Sequence, residues 1–332
     1  METMFKKLTT LIRESDNVMI MAHHDIDMDA FGSSLALYEI VKSFDKNAYV
    51  FLENLKDNIA INHALECLEN SKINISFLDE KNYIEKKKKN SLLVILDVYK
   101  QEMLEFPDVV TDFDHIVVID HHVKNNKIQY PTLFEYISPD LSSINEIMVN
   151  YLKYLNKTVN PVIATIMLAG IEIDTNQFNV KTTDKTYEAA AFLTKIGANH
   201  ILKQELLKED RNSYLKRQHF VKKSFMVNKN MAMCILDEEH YERKDLAVIA
   251  EELLKFDDVE ASFVIGRLDK ETVYISARSI GKIDVEQYMR KLGGGGHTTD
   301  AAARFENQTI ADVKNNLLNI LNGEWNYESY IY

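Results

Sequence analysis

Short apolar runs rich in β-branched residues alternate with helical patterns over about the first 195 residues of the chain. Strands are predicted at 17–22, 48–52, 92–96 and 115–119, and helices at 32–44, 143–155, 161–173 and 185–196. Strands that alternate with helices are typical of a largely parallel sheet with helices on its faces. The pattern therefore predicts an α/β domain over residues 1–197, which Gly197 closes.

The pattern changes after residue 197. Residues 198–227 are strongly charged with a helical period, which predicts a connecting helix over 199–227. Strands are then predicted at 231–236, 259–268 and 272–279, and helices at 245–255, 284–291 and 310–321. These elements predict a second, smaller α/β domain over residues 228–332. Two domains also suit a chain of 332 residues, since single cores stop growing at about 250–300 residues.

Histidine and aspartate follow four of the apolar runs directly. The residues are His23, Asp27 and Asp29 after NVMIMA, Asp97 after LLVIL, Asp120, His121 and His122 after HIVVI, and Asp174 after IMLAGIEI. Strand ends of an open α/β sheet meet in one crevice, so these side chains are expected to converge. Imidazoles and carboxylates together suit a pair of divalent ions, with Mn²⁺ preferred to Mg²⁺. Two such ions about 3.5–4 Å apart are the usual apparatus for cleaving a phosphate ester.

Each cluster also has a structural explanation. A lone Asp after an apolar run is more often a helix cap or turn residue than a ligand, so Asp97 or Asp174 alone would indicate little. The spacing His23-x-x-x-Asp27-x-Asp29 is more specific, because its carboxylates repel one another unless a cation lies between them. The combination therefore favours a metal site.

Four of the chain's 10 glycines are consecutive, at Gly293, Gly294, Gly295 and Gly296. A flexible linker is the alternative explanation. However, a helical pattern precedes them and His297 follows, which favours a backbone that adopts positive φ and lets a ligand approach closely. Successive N–H groups there can bind a phosphate or a base edge. Arg278 and His297 would add charge or hydrogen bonds.

Composition narrows the class of protein. The net charge of −12 argues against a broad surface for duplex nucleic acid, which needs many Lys and Arg contacts to phosphates. No apolar stretch has the roughly 18–20 residues of a membrane span, and the N-terminus has no signal-peptide pattern. The two cysteines, Cys67 and Cys234, are expected to be buried free thiols of a reducing compartment. A cytoplasmic protein with no membrane contact is predicted.

The clusters together resemble the four motifs of the DHH phosphoesterase superfamily. Residues 276–279 (SARS) and 293–297 (GGGGH) resemble the DHHA1 substrate domain of that superfamily. Within it, the chain is most similar to the catalytic portion of bacterial cyclic di-AMP phosphodiesterases of the GdpP type. The stretches that carry this likeness are DMDA (27–30), AGIEIDTNQF (169–178), TYEAAAFL (186–193), VEASFVI (259–265) and GGGGHTTDAA (293–302).

The resemblance implies a fold and a set of roles. The fold would be a DHH domain with a mainly parallel sheet flanked by helices, followed by a smaller DHHA1-type α/β domain. His23 and Asp27 would hold one ion, Asp29, His121 and Asp174 the other, and Asp97 would bridge both. Asp120 would orient an imidazole, and His122 would face the scissile phosphate. Arg278, Gly293, Gly294, Gly295, Gly296 and His297 would bind a small dinucleotide. Cyclic di-AMP would give linear 5′-pApA, with AMP from a slower second cleavage.

The chain departs from the GdpP pattern at two places. Val123-Lys124 follow Asp-His-His where those proteins tend to have two arginines, and residues 181–189 differ from the usual RTGSRTFEA. Lysine does not replace the bidentate contacts of arginine, so the chemistry is implied more firmly than the substrate. A nanoRNase or 3′-phosphoadenosine 5′-phosphate phosphatase is the nearer alternative, and a non-enzymatic nucleotide sensor the more distant one. GdpP-type proteins carry membrane and sensory segments that this sequence lacks, so a free-standing version is expected, with a homodimer left open.

Overall fold

The computed structural model of the protein describes residues 1–53 and 58–323. Contacts divide the chain into two compact units, Met1–Glu209 and Asp210–Tyr332. Residues 324–332, the end of the predicted second domain, lie outside the described residues.

The first unit is built on a parallel sheet. Its strands are β1 (Asn17–Met21), β2 (Ala48–Phe51), β3 (Phe77–Leu78), β4 (Ser91–Leu96), β5 (His115–Asp120) and β6 (Phe134–Ile137). They form one six-stranded sheet in the order β3-β2-β1-β4-β5-β6, and every neighbouring pair is parallel. The strand order places β1, β4 and β5 side by side near the middle.

Helices flank this sheet. They are α1 (Glu2–Glu14), α2 (Met28–Lys42), α3 (Ile59–Asn70), α4 (Tyr83–Lys86), α5 (Ile144–Leu155), α6 (Pro161–Asp174), α7 (Asp184–Lys195) and α8 (His200–Leu206). Two 3₁₀ segments, Gln101–Met103 and Pro107–Asp112, lie between β4 and β5.

Side chains of β1 alternate between two hydrophobic cores. Val18 and Ile20 pack in the larger core with residues of α2, α5 and α6, whereas Met19 and Met21 pack in a second core with residues around 98–113. All five residues of β1 are buried, as expected for a parallel strand covered on both faces. Burial on both faces explains why the strand appears in the sequence as an unbroken apolar run.

The second unit has a mixed sheet. Its strands are β7 (Phe225–Met226), β8 (Met231–His240), β9 (Ala261–Arg267), β10 (Thr272–Ser279), β11 (Gly295–Gly296) and β12 (Asp300–Glu306), and its helices are α9 (Arg211–Lys223), α10 (Arg243–Leu253), α11 (Val285–Lys291) and α12 (Ile310–Leu321). The order is β11-β12-β10-β9-β8-β7, with β8 and β9 parallel and the other pairs antiparallel. One core contains residues of α9 and α10, and the other contains residues of α11 and α12.

The predicted fold class is confirmed: a parallel sheet flanked by helices precedes a smaller unit with a mixed sheet. The prediction of a single helix over 199–227 is wrong. This segment forms α8 and α9, and α9 begins anew because the Asp210 carboxylate caps it by accepting from the backbone N–H of Ser213 at 2.8 Å. The short strands β3 and β6 and the strand β12 were not predicted.

Two further features concern the environment of the chain. Among the described residues, no helix is long and apolar enough to cross a membrane. Both cysteines are free thiols; Cys234 is buried, as predicted, whereas Cys67 is only half-buried.

Candidate metal centre

Five elements bring the candidate ligands to one edge of the parallel sheet. His23, Asp97 and His121 follow the carboxyl ends of β1, β4 and β5, which are neighbours in the sheet. α2 begins after Asp27, and α6 ends on Asp174. The carboxyl edge of a parallel sheet is where such folds place ligand and catalytic groups.

Asp97 lies between two groups of ligands. In the first group, its Oδ2 lies 3.7 Å from His23 Nε2, and Asp27 Oδ2 lies 3.7 Å from the same nitrogen. Asp27 also caps α2, because its Oδ1 accepts hydrogen bonds from the backbone N–H groups of Asp29 and Ala30. The cap of α2 and the contact with His23 therefore use different oxygens of one carboxylate.

The second group surrounds His121. Its Nε2 lies 3.1 Å from Asp97 Oδ1, 3.3 Å from Asp174 Oδ2 and 3.8 Å from Asp29 Oδ2. His121 Nδ1 faces the carbonyl oxygen of Leu141 at 3.3 Å, which leaves Nε2 directed at the carboxylates. Potential ligand atoms of Asp29, His121 and Asp174 lie within 4.8 Å of one another, as do those of His23, Asp27 and Asp97.

The two groups of ligands bring four aspartates together with two histidines, so ionised carboxylates would outnumber the imidazoles. Burial raises the pKa of Asp97 to about 7. Burial alone would lower the pKa of His121, but the close carboxylates of Asp174 and Asp97 raise it to about 12. Burial would likewise lower the pKa of His23, but Asp27 and Asp97 raise it to about 9. The carboxylates thus favour the protonated form of both imidazoles, as they would favour any positive charge placed among them.

Divalent cations would supply such positive charge. Asp97 Oδ1 and His121 Nε2 are buried without a hydrogen bond to any described residue, although such atoms rarely remain unpaired. Imidazole nitrogens mixed with carboxylate oxygens suit Mn²⁺ and other first-row divalent ions. The donor set therefore fits metal binding, with Asp97 placed to contribute to both groups.

Asp29 is fully buried and held from the start of α5. Its Oδ1 accepts from Asn145 Nδ2 at 2.6 Å and from the Ser143 hydroxyl, and its Oδ2 accepts from the backbone N–H of Ile144 at 2.8 Å. Burial, and then the charge of Asp174, raises the pKa of Asp29. The donors therefore fix the orientation of a carboxylate that would otherwise be repelled by its neighbour.

Sequence reasoning missed Ser143 and Asn145. The available signal was the polar run Ser142-Ser143 just before the apolar pattern of α5, which is typical of an N-cap. That such a cap also binds Asp29 could not be recognised, because the two residues are more than a hundred positions apart.

Substitution of Gly170 is expected to disturb this arrangement. A Cβ at Gly170 would lie 2.6 Å from Asn145 Nδ2 and 2.7 Å from Asp29 Cα, so α6 could no longer pack as closely against α2. Gly170→Ala should lower the free energy of unfolding by about 1–3 kcal/mol, measured by denaturant titration, and should weaken metal binding. Gly295→Ala is the control, because a Cβ there contacts nothing within 4 Å. Equal stability of the Gly170→Ala protein and the wild type would contradict this packing.

Asp97 and Asp120 have distinct geometries. Asp97 has φ of +65°, a left-handed conformation that is uncommon for residues other than glycine and is found at functional sites. Asp120 is buried, and its Oδ1 accepts from the backbone N–H of His122 at 2.9 Å and from His122 Nδ1 at 2.8 Å. Burial alone would raise the pKa of Asp120, but these hydrogen bonds lower it. The His122 side chain is 55% exposed, so it lies on the solvent side of the cluster. Its contacts with Asp120 orient the imidazole there.

The predicted substrate residues of the second unit lie on or next to β10, β11 and β12, which are neighbours at one edge of its sheet. Arg278 on β10 pairs in register with Asp300 on β12, and its Nη1 lies 2.6 Å from the Asp300 carboxylate. Its Nε also lies 3.4 Å from Glu251. The backbone N–H of the exposed His297 donates to the carbonyl of Asp300 at 2.6 Å. The structure therefore brings Arg278 and His297 to the same strand end.

The four glycines serve different purposes. Gly293, with φ of +77°, and Gly296, with φ of +149°, adopt conformations that favour glycine. A Cβ at Gly294 or Gly296 would clash with the backbone of β12, at 2.1 Å and 2.3 Å respectively. Only Gly295 combines ordinary φ with open space around its missing side chain. Close packing against β12 thus explains why Gly294 and Gly296 have no side chain. Gly295, by contrast, has open space around its Cα.

Comparisons with known proteins agree with this architecture. Residues 17–171 match the DHH family, N-terminal domain, and residues 228–325 match the DHHA1 domain. The chain carries a DHH domain followed by a DHHA1 domain. The family resemblance predicted from the motifs is therefore confirmed.

Relatives and solved structures are similar over most of this DHH–DHHA1 chain. The Cyclic-di-AMP phosphodiesterase GdpP of Bacillus subtilis is 32% identical over 92% of the chain and 47% of its own length. The Cyclic-di-AMP phosphodiesterase PdeA of Listeria monocytogenes is 32% identical over 97% of the chain and 50% of its own length. The chain thus spans about half the length of these curated relatives. An exopolyphosphatase-related protein from Bacteroides fragilis shares the fold, with a TM-score of 0.77, 21% identity and 98% coverage of both chains.

Proposed function

We propose that the protein is a metal-dependent phosphodiesterase that hydrolyses cyclic di-AMP to linear 5′-pApA. The observation that carries the proposal is the position of Asp97 between two histidines, since His23 Nε2 and His121 Nε2 each lie within 4 Å of Asp97 and of at least one further aspartate. Support for the substrate comes from the relatives named cyclic-di-AMP phosphodiesterases, at 32% identity.

Each predicted ligand has a place in this proposal. His23 and Asp27 hold one ion, Asp29, His121 and Asp174 hold the other, and Asp97 binds both. Mn²⁺ is preferred because imidazoles take part. When bound, such a pair lowers the pKa of a water molecule and neutralises charge on the phosphoryl oxygens.

The chain's own residues position the substrate and move a proton. Asp120 holds His122 at Nδ1, so a protonated His122 donates from Nε2 to the departing 3′ oxygen or to a phosphoryl oxygen. Arg278, His297 and the N–H groups of the glycine segment bind the part of the dinucleotide remote from the scissile bond. Binding energy from remote parts raises the rate only when it aligns the reacting phosphate.

A second candidate function has its own support. The bifunctional oligoribonuclease and PAP phosphatase NrnA of Mycoplasma genitalium is 25% identical over 91% of the chain and 93% of its own length. A phosphodiesterase or phosphatase of that kind would use the same metal ligands. The choice between the two substrate classes has to be made by measurement.

Product analysis makes this choice. The purified protein is incubated with Mn²⁺ and, in separate reactions, cyclic di-AMP, pApA, 3′-phosphoadenosine 5′-phosphate and a short RNA, and the products are separated by chromatography. The expected result is fastest conversion of cyclic di-AMP to 5′-pApA. Faster release of mononucleotides from short RNA or of AMP from 3′-phosphoadenosine 5′-phosphate would favour the second candidate. Binding of nucleotides without turnover of any substrate would favour a sensor.

Gly295→Val tests the substrate role of the second unit. A Cβ at Gly295 has nothing within 4 Å, so the added side chain should be accommodated and the protein should fold. Cleavage of cyclic di-AMP should fall more than cleavage of bis-(p-nitrophenyl) phosphate, because the small ester depends chiefly on the metal centre. Gly294→Val is a contrasting variant, since its side chain would clash with Ala302 and Ala303 and should destabilise the unit. Equal loss of both activities in Gly295→Val would mean that the segment does not bind substrate.

A further inference from the structure

The first unit contains a polar cavity of about 490 Å³ lined by residues of the segments 139–141 and 178–187. Leu141 lines this cavity, and the carbonyl of the same residue faces His121 Nδ1 at 3.3 Å. Phe178 lines another part of it, four residues after the ligand Asp174. A molecule in this cavity would therefore contact one residue that faces His121 and the segment that follows Asp174.

An aromatic pair forms part of the lining. The rings of Phe178 and Tyr187 are stacked, with centroids 5.6 Å apart and an angle of 15° between their planes. Phe178 also packs against the main hydrophobic core, whereas Tyr187 is 57% exposed. The half-buried Phe178 ring thus supports the exposed Tyr187 ring, which offers a plane on which another flat ring can stack.

The backbone that carries Phe178 is strained. Asn176, Gln177 and Phe178 have φ of 44°, 59° and 63°, so three consecutive residues other than glycine are left-handed. Thr175 holds this turn together, because its hydroxyl oxygen accepts from the backbone N–H of Phe178 at 3.0 Å and its carbonyl accepts from Asn179 and Val180. Such conformations persist at ligand-binding positions when surrounding contacts enforce them. The Thr175 hydrogen bonds enforce this conformation and thereby hold Phe178 beside Tyr187.

Polar groups complete the lining. Asn179 Nδ2 and the Thr182 hydroxyl donate to backbone carbonyls of Asn176 and Val180, and the Thr183 hydroxyl lies 3.4 Å from that of Thr186. Their side-chain oxygens keep acceptor capacity for the amino group of a base. Lys181 and Asp140 are exposed charged residues of opposite sign on the same lining. Lysine favours a nearby phosphate, and the carboxylate accepts from an exocyclic amino group. This mixture of an aromatic plane, hydrogen-bonding groups and one cation matches a nucleotide better than an inorganic anion.

We propose that this cavity binds the base of one nucleotide of the substrate by stacking on Tyr187. The proposal rests on the proposed function, because it provides a base subsite in the unit that carries the metal centre. It assigns substrate recognition to residues 178–187 of the first unit, in addition to the groups proposed for the second unit.

Binding of 5′-AMP and of ribose 5-phosphate to the Mn²⁺-loaded protein separates base recognition from phosphate recognition. Calorimetric titrations compare the wild type with Tyr187→Ala and Tyr187→Phe. Tyr187→Ala should raise the Kd for 5′-AMP by at least about fivefold, because it removes the stacking surface. Tyr187→Phe keeps that surface and should restore binding to within about twofold of the wild type. The Kd for ribose 5-phosphate should be the same in all three proteins.

Tyr154→Ala is the matched control, because Tyr154 is an exposed tyrosine of the same unit, 42% accessible, that does not line the cavity. It should leave both Kd values unchanged. An unchanged Kd for 5′-AMP in Tyr187→Ala, or equal loss of both ligands, overturns the base subsite, as does the absence of 5′-AMP binding to the wild type. A thermal melt of each variant confirms folding, and Tyr187→Leu replaces Tyr187→Ala if the latter melts early.

The outcome of this experiment is independent of the substrate test. If the wild type cleaves cyclic di-AMP but the contrast between 5′-AMP and ribose 5-phosphate is missing, only the base subsite fails. If the contrast is present but no cyclic di-AMP is cleaved, the proposed function fails and the base subsite stands.

Discussion

Asp97→Asn should reduce turnover by about a hundredfold to a thousandfold, because several kcal/mol of metal-assisted catalysis depend on a ligand that both ions share. Asparagine keeps the size of the side chain and tolerates the left-handed backbone, φ +65°, that Asp97 adopts. The substitution therefore removes charge with little effect on shape. Initial rates under saturating Mn²⁺ provide the measurement.

Stability separates this loss of function from misfolding. Burial raises the pKa of Asp97 from about 4 to about 7, so the metal-free protein loses stability as the pH rises between these values and the whole loss is present at pH 8. Metal-free Asp97→Asn should consequently melt no lower than metal-free wild type at pH 8. Asp25→Asn is the matched control, since Asp25 also has positive φ but its side chain is 95% exposed. Asp97→Asn protein with more than about a tenth of wild-type activity would contradict the shared-ligand role.

The main features of the first unit could be predicted because they depend on local patterns. β1, β4 and β5 are buried on both faces, so each appears as an apolar run whose end is visible in the sequence. Candidate ligands follow those ends directly. Convergence then depends only on the general rule that parallel strands present their carboxyl ends at one edge.

Features that depend on long-range packing could not be predicted. Gly170 lies in the apolar helix α6, and its role appears only when α6 packs against Asp29 and Asn145. β6 has no fully buried residue, so it lacks the apolar run by which the central strands were recognised. The break between α8 and α9 contains neither Gly nor Pro, and its only local sign was the capping residue Asp210. The tetraglycine was recognised as a local requirement of the backbone, and three of its members are explained by backbone conformation or close packing within the protein.

Removal of metal with EDTA should abolish activity and lower the melting temperature. Ions that bind only the folded state stabilise it by mass action, by about 2.7 kcal/mol at a concentration a hundred times the Kd. For a unit of about 200 residues this corresponds to a decrease of roughly 5–10 °C, measured by scanning calorimetry. Asp97→Asn is the control here, and its melting temperature should respond much less to EDTA. An unchanged melting temperature of the wild type would argue against a metal site among these residues.

Proton release provides the sharpest test of the same site. His121 and His23, with pKa raised to about 12 and about 9 by their carboxylate neighbours, are protonated in the metal-free protein at pH 8 and must lose these protons to bind an ion. Mn²⁺ binding should therefore release protons and weaken as the pH falls. Calorimetry in two buffers of different ionisation enthalpy measures the number released. Mn²⁺ should also restore activity better than Ca²⁺, which prefers six to eight oxygen ligands over imidazole. Equal rescue by Ca²⁺, or binding without proton release, would mean that the two histidines are not ligands.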